Sequence, residues 1–373
     1  MIAPGQRVIV AMMDGLDMAY VEKTDMPHMR AMMADGFFKE VGGVFPSVTN
    51  VNNVSIACGA WPDEHGIVAN SYFNEKSGKP VYMNAAELIR CPTIFRRAAE
   101  RGIKSALLTS KKKTLELFHQ DVDLGVAAEN APAEYVEIYG PPPDIYSREI
   151  NYWLWTVAVD ILEKQPEIGL LYVHITDYPM HAWGPDAPES RVHLHTLDKY
   201  IGQARQAAPD AAFLITADHG MNFKTRCYDL QRVLAGAGLP PRFVLSPERD
   251  YYIVHHRNFT GCSWIWLNSP DQWDATVAVL EGIDGIEEIY SRRQAAERFH
   301  LVPDLIGDLI ATGDRQTMFG EMDTAYEDLP STYRAHGSLY EMRLPLVIYN
   351  SNGSLPSADD FNMNLDLTRF LYR

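Results

Sequence analysis

Cysteine is scarce in this chain, and Cys58, Cys91, Cys227 and Cys262 show no CxxC pairing. That count argues against a disulfide scaffold and against a thiolate zinc site. The four are expected as reduced structural thiols, with Cys58 and Cys91 in helix-like contexts where a small apolar residue is wanted. Long apolar runs are also missing, and the longest, Ile168 to Ile175, is far too short to span a bilayer. The opening residues, MIAPGQRVIVAMMDG, lack a basic segment followed by an apolar core and a small-residue cleavage site, and read as a first strand. A cytoplasmic protein with no membrane partner is expected. Positive charge is in deficit as well: 33 Lys and Arg stand against 49 Asp and Glu, a formal net charge of -16. Such a surface repels a phosphate backbone, so nucleic acid is not an expected partner. It repels small anions too, and an anionic substrate would require metals or a lysine cluster to reverse the potential locally. There is no internal repeat, coiled coil or glycine-rich nucleotide loop.

What is present is a large core, since 46% of the 373 residues are hydrophobic, enough for more than one folding unit. Buried-strand runs appear at Arg7–Met13, Ile103–Thr109, Ile168–Thr176 and Phe213–Thr216. Helical patterns lie between them, at Pro27–Ala34, Val51–Cys58, Cys91–Arg101, Arg148–Lys164 and Pro188–Ala207. Continuous β-runs alternating with helices predict an α/β fold with a mostly parallel central sheet. The stretch Ala131–Pro143, with four prolines, reads as a loop or linker. Beyond Met221 short strands, at Tyr251–His255, Cys262–Asn268 and Ile286–Tyr290, mix with helices Asp271–Glu281 and Arg292–Phe299. That change predicts a smaller α+β cap over 222–330, inserted between a core of 1–221 and a return to the core at 331–373. His255 and His256 read as structural histidines.

Ligands in open α/β sheets bind beyond the carboxyl ends of the strands. Asp14, the pair Asp218 and His219, and Asp177 with His181 four residues on all follow predicted strands there. His336, before Gly337, is the last unpaired candidate. Thr49 sits at or just before a helix N-terminus, where unbonded N–H groups and the helix dipole suit an anion and ease ionisation of a hydroxyl. An N-cap is the plainer role for it. Lys111, Lys112 and Lys113 form a basic cluster at a strand end of an acidic protein, either as solvated surface or as an anion site. Carboxylates and imidazoles without thiolates suit zinc, with manganese or iron as alternatives, and seven candidates are the number two metals would need. Two metals can clamp a phosphoryl group and ionise a bound hydroxyl.

Asp14, FPSVTNVNN, DYPMH, TADHGM and RAHGS resemble the metal-binding motifs of the alkaline phosphatase superfamily, and of its nucleotide pyrophosphatase/phosphodiesterase branch in particular. The runs NVNNVSI, RCPTIF, TSKKK, PDIYS, YYIVHH and IGDLIATGD are similar to the phosphonoacetate hydrolases within it. The resemblance covers nearly the whole chain. It implies an alkaline-phosphatase-like core and one zinc held by Asp177, His181 and His336. A second zinc would be held by Asp14, Asp218 and His219, with Thr49 as nucleophile and bridging ligand. It also implies that Asn70 binds phosphonate oxygens and that Lys111 and Lys113, two apart on an extended segment, engage the substrate carboxylate. The motif differs at Lys112, where an acidic residue is expected, and at Ser338, where glycine is. The implied activity is hydrolysis of phosphonoacetate, with a phosphodiesterase or phosphomonoesterase, or a metal-binding protein without turnover, as alternatives. Oligomeric state is not legible, and a homodimer is left open.

Overall fold

The computed structural model describes residues 1–250 and 257–373. Seven strands make the central sheet, in the spatial order Phe37–Gly42, Arg343–Tyr349, Ala212–Thr216, Val8–Met12, Ile168–His174, Lys104–Thr109 and Leu124–Ala127. The last five of these run parallel, and Arg343–Tyr349 runs antiparallel to both its neighbours. Val8–Met12 and Ala212–Thr216 are buried along their whole length. Their unbroken apolar sequences follow from that, because a parallel strand covered on both faces has no polar side to present. Helices Pro27–Asp35, Glu149–Lys164 and Pro188–Ala207 are among those packed on the sheet or on each other. Among the described residues no helix is long and apolar enough to cross a membrane.

Register is the feature that positions the site. Met12 pairs with Thr216 on one side and His174 on the other, and His174 pairs with Thr109. Four neighbouring strands therefore end in one row, and the residues that follow each end emerge side by side.

Among the described residues, 222–330 carry two further sheets of three strands or more. One has the order Phe243–Leu245, Cys262–Trp266, Leu309–Gly313, Ile286–Ser291, and the other the order Thr317–Phe319, Arg226–Tyr228, Tyr326–Asp328. In Cys262–Trp266 the side chains alternate as a strand requires. Trp264 and Trp266 join the main core, while Ile265 packs with Leu230, Leu280 and Leu309 in a second cluster.

Three expectations need correction. The helix expected at Cys91–Arg101 runs only from Ile94 to Ala99. Thr93 caps it, accepting from the Arg96 N–H at 3.2 Å, which leaves Pro92 and Cys91 outside. The stretch Ala131–Pro143 contains a helix, Ala133–Tyr139. Its prolines bracket that helix, Pro132 before it and Pro141 to Pro143 after Gly140, and none interrupts it. Lys111 to Lys113 is not one extended segment, because a helix starts at Lys112 and runs to Phe118. The expected strand Tyr251–His255, with His255 and His256, lies outside the described residues. All four cysteines are free thiols.

Candidate active site

The row of strand ends delivers Asp218, Asp14, Asp177 and Lys111 in that spatial order, each two or three residues past its strand. Gly15 makes the tight spacing feasible. Its φ is +78°, and a Cβ there would lie 3.1 Å from Asp177 Cβ and from Met180. Its N–H instead donates to Asp218 Oδ1 at 3.1 Å, and the His219 N–H donates to the same oxygen at 2.9 Å. Asp177 precedes helix Tyr178–Ala182, whose first turn brings His181 Nε2 to 2.9 Å from Asp177 Oδ2. His336 Nε2 lies 3.7 Å from that oxygen. The His336 loop is fastened to the segment before Thr49: Ser47 Oγ donates to the Ser338 carbonyl at 2.7 Å and accepts from the Gly337 N–H at 3.1 Å.

Thr49 opens helix Thr49–Cys58, and Val48, not Thr49, occupies the cap position without any side-chain cap bond. The capping role for Thr49 is thereby excluded. Its hydroxyl lies 3.3 Å from His219 Nε2. The helix ends at Gly59, whose φ is +60° and whose Cβ position would fall 2.4 Å from the Arg369 backbone, so no larger residue fits.

The three clustered imidazoles share one proton arrangement. His181 Nδ1 lies 2.7 Å from the Arg334 carbonyl, His219 Nδ1 3.0 Å from that of Gly220, and His336 Nδ1 2.8 Å from that of Ser47. A carbonyl only accepts, so each Nδ1 carries a hydrogen, and in the neutral ring Nε2 is the nitrogen with the lone pair. Metal-ligating histidines are prepared in this way. Burial, with His219 and His181 adding to it, holds His336 well below its ordinary range and therefore neutral.

Two sets of ligand atoms each converge to within 4.8 Å: Asp177, His219 and His336, and Asp14, Asp218 and His219. His219 belongs to both, stacked on His336 at 3.7 Å between ring centroids. His181 reaches the first set through Asp177. Asp14 Oδ1 and Asp218 Oδ2 are buried with no hydrogen-bond donor among the described residues. A buried carboxylate oxygen left so is costly, and a divalent cation is the natural complement to this carboxylate-imidazole set. Burial, with Asp14 beside it, pushes the Asp218 acid well above its ordinary range. For Asp14, burial and Asp177 oppose ionisation, but Lys111, His174 and His219 outweigh them and hold it low.

Lys111 lies within this cluster, its Nζ 3.1 Å from Asp14 Oδ2 and 3.4 Å from Asp177 Oδ1. Lys113 pairs with Asp250 instead. Asn70 is buried, but its amide donates to the Glu248 carbonyl at 3.2 Å and not to either cluster. The carboxyl of Glu248 was not anticipated: it is buried in the field of Lys113, His219 and Lys111, and burial raises it to about 8. His174 was missed too, its Nε2 3.3 Å from Asp14 Oδ2. A polar residue ending an otherwise apolar strand was the available signal.

Residues 8–339 match the type I phosphodiesterase/nucleotide pyrophosphatase family. The chain belongs to that family. The family places it in the alkaline phosphatase superfamily, whose members depend on metals. An uncharacterised pyrophosphatase/phosphodiesterase of Schizosaccharomyces pombe is 25% identical over 57% of this chain and 44% of its own length. This chain thus spans less than half of that curated relative. Phosphonoacetate hydrolase from Sinorhizobium meliloti, solved in complex with phosphonoacetate, superposes with a TM-score of 0.88 at 27% identity, covering 99% of this chain and 96% of that one. Murine ectonucleotide pyrophosphatase/phosphodiesterase 5 superposes with a TM-score of 0.72 at 18% identity, over 98% and 94% of the two chains, which shows a shared fold. The α/β core expected from the sequence is the fold of these neighbours.

Proposed function

We propose that this family member uses two zinc ions to hydrolyse the carbon–phosphorus bond of phosphonoacetate, or of a closely related carboxylated phosphonate, to phosphate and acetate. The observation that carries the reading is the Lys111 ammonium, buried in the carboxylate cluster near Thr49. Breaking a P–C bond demands a carbanion-like leaving group, feasible only when an adjacent carboxylate takes up the charge as an enolate. A lysine at that carboxylate answers the demand in the transition state, where the charge is greatest. Likeness to the Sinorhizobium meliloti enzyme across 99% of the chain adds support.

Asp177, His181 and His336 would hold one ion, and Asp14, Asp218 and His219 the other. Bound cations would lower the cost of ionising the Thr49 hydroxyl and of gathering negative charge on the phosphonate oxygens. Thr49 attacks phosphorus from the first position of its helix, where unbonded backbone N–H groups and the dipole favour the anion. Lys111 would meet the carboxylate of the leaving group once bound cations take over its partners Asp14 and Asp177. Lys113, engaged by Asp250, and Asn70, tied to the 247–248 backbone, would contribute only after exchanging those partners. A phosphodiesterase reading rests on the family itself, and uses the same cluster and Thr49.

Phosphate release by the zinc-loaded protein separates the two. Turnover of phosphonoacetate, with Thr49→Ala retaining metal yet slower by well over tenfold, is the expected outcome. No phosphate from phosphonoacetate, with release from an aryl phosphodiester, would move the chain to the second reading. Thr49→Ala within tenfold of the original would reject Thr49 as nucleophile.

A further inference from the structure

His174 ends the central strand Ile168–His174 and is completely buried, yet it belongs to neither set of convergent ligand atoms. Its proton can be located from its surroundings. Tyr172 donates its hydroxyl to Asn53 Oδ1 at 2.7 Å. The Asn53 Nδ2 group then faces His174 Nδ1 at 3.4 Å, and an amide nitrogen only donates. With the amide so placed Nδ1 accepts, and the Asp14 carboxylate at Nε2 calls for the same tautomer because it too can only accept. Thr109 Oγ1 lies 3.1 Å from the same nitrogen, and its single hydrogen is shared between that nitrogen and the Lys111 carbonyl at 3.3 Å. The ring hydrogen is left on Nε2, which points at Asp14 Oδ2 from 3.3 Å. This is the opposite tautomer to that of His181, His219 and His336. Those three offer a lone pair, whereas His174 offers a donor.

We propose that His174 is a positioning residue for Asp14, one that occupies Oδ2 with a hydrogen bond and so turns Oδ1 toward the cation site. The inference rests on the metal-centre reading above. Asp14 Oδ1 is the oxygen left without a donor among the described residues, as the proposal requires. Lys111 shares Oδ2 with His174, so both donors lie on one oxygen. Asn53 lies four residues after Thr49, one turn along the same face of helix Thr49–Cys58. The chain Tyr172–Asn53–His174–Asp14 thereby couples the helix that presents Thr49 to the carboxylate beside it. Asn53 at one ring nitrogen and Asp14 at the other agree on the tautomer, and that tautomer holds Asp14.

The test compares His174→Leu with His174→Gln, whose side-chain amide can still donate to Asp14. Zinc affinity is read for each equivalent by competition with a chromogenic chelator, and folding is checked by circular dichroism in EDTA. His174→Leu is expected to weaken one equivalent about 10- to 100-fold, the range found when a partner outside the coordination sphere is lost, with the other unchanged. His174→Gln should recover most of that loss. Unchanged affinity in a folded His174→Leu protein, or equal loss in both variants, would overturn the proposal. Should His174→Leu fail to fold, nitrogen NMR of the metal-free native protein labelled at histidine decides: a ring protonated at Nε2 supports it and one protonated at Nδ1 overturns it. If native protein binds no zinc, the metal-centre reading fails first, and the tautomer measurement reports separately on the geometry.

Discussion

Replacing Lys111 by methionine should destabilise the protein strongly without metal and only weakly with it. Lys111 Nζ stands 3.1 Å from Asp14 Oδ2 and 3.4 Å from Asp177 Oδ1, with side-chain exposures of 7%, 0% and 3% for the three residues. At an effective dielectric constant of about 20, each contact is worth about 5 kcal/mol in gross Coulomb energy. Several kcal/mol go to stripping water from the ammonium, so the net loss on breaking the pairs is about 3–5 kcal/mol. Methionine keeps most of the volume, and the loss is therefore mainly electrostatic. Bound zinc would change the balance, because its positive charge among Asp14, Asp177 and Asp218 would do the compensating that the lysine does. Binding to the folded state alone stabilises by RT ln(1 + [L]/Kd), and Kd itself should fall when the competing ammonium is gone. Urea unfolding of both proteins, in EDTA and in excess zinc, is the assay. A deficit of about 3–5 kcal/mol in EDTA that shrinks to about 1 kcal/mol in zinc is expected. An equal deficit in both conditions would refute charge compensation between Lys111 and a bound cation.

Three other expectations follow from particular contacts. Metal analysis after dialysis should return two zinc equivalents for the native protein; His219→Ala, which removes a group common to both ligand sets, should retain less zinc than His181→Ala. Gly15→Ala, at φ +78° and 3.1 Å from Asp177 Cβ and Met180, should cost about 1–3 kcal/mol and weaken metal binding, measurable by unfolding and chelator competition. Away from the site, burial lowers His65 to about 3, with Nδ1 accepting the Ile67 N–H at 3.1 Å and Nε2 2.8 Å from Ser55 Oγ. Between its ordinary 6.5 and about 3 the unfolded chain binds a proton that the folded chain refuses, so this contribution is complete above pH 6.5 and is lost as pH falls toward 3, by at most about 5 kcal/mol. A stability–pH curve for His65→Gln should be flatter than that of the native protein across the window, and parallel curves would refute it.

The strand ends were legible and their contacts were not. Apolar runs ending at Asp14, Asp177 and Asp218 marked the carboxyl edge of a parallel sheet, because a strand buried on both faces must be continuously hydrophobic. Helix Pro188–Ala207 was readable to the residue, since Pro188 sits in its first turn and its apolar stripe is regular. Strands such as Phe37–Gly42 and Leu124–Ala127 lie at the sheet's two edges, are only partly buried, and carry no such run. Lys111 failed for another reason. The triple-lysine run looked like one extended basic segment, but the helix starting at Lys112 separates the directions of its side chains. Lys111 turns in toward Asp14 and Asp177, while Lys113 meets Asp250 on a segment 137 residues away.

Helix Thr49–Cys58 shows where sequence pattern stops being informative. All ten of its residues are buried, although Asn50, Asn52, Asn53 and Ser55 are polar. A helix hydrophobic on one stripe announces which face is packed, but one buried all round announces nothing, and its polar residues look misplaced. Three of the four are placed by partners outside the helix. Asn52 holds the Val44 N–H and carbonyl at 2.8 and 2.9 Å and accepts from Asn364; Asn53 meets Tyr172 and His174; Ser55 meets His65. Each bond offsets the cost of burying an amide or hydroxyl, and together they admit one placement of the helix. Thr49, at the first position, is thereby presented to His219 by groups up to six residues behind it. The run NVNNVS is thus the support of the candidate nucleophile, and its polarity is the trace of that role.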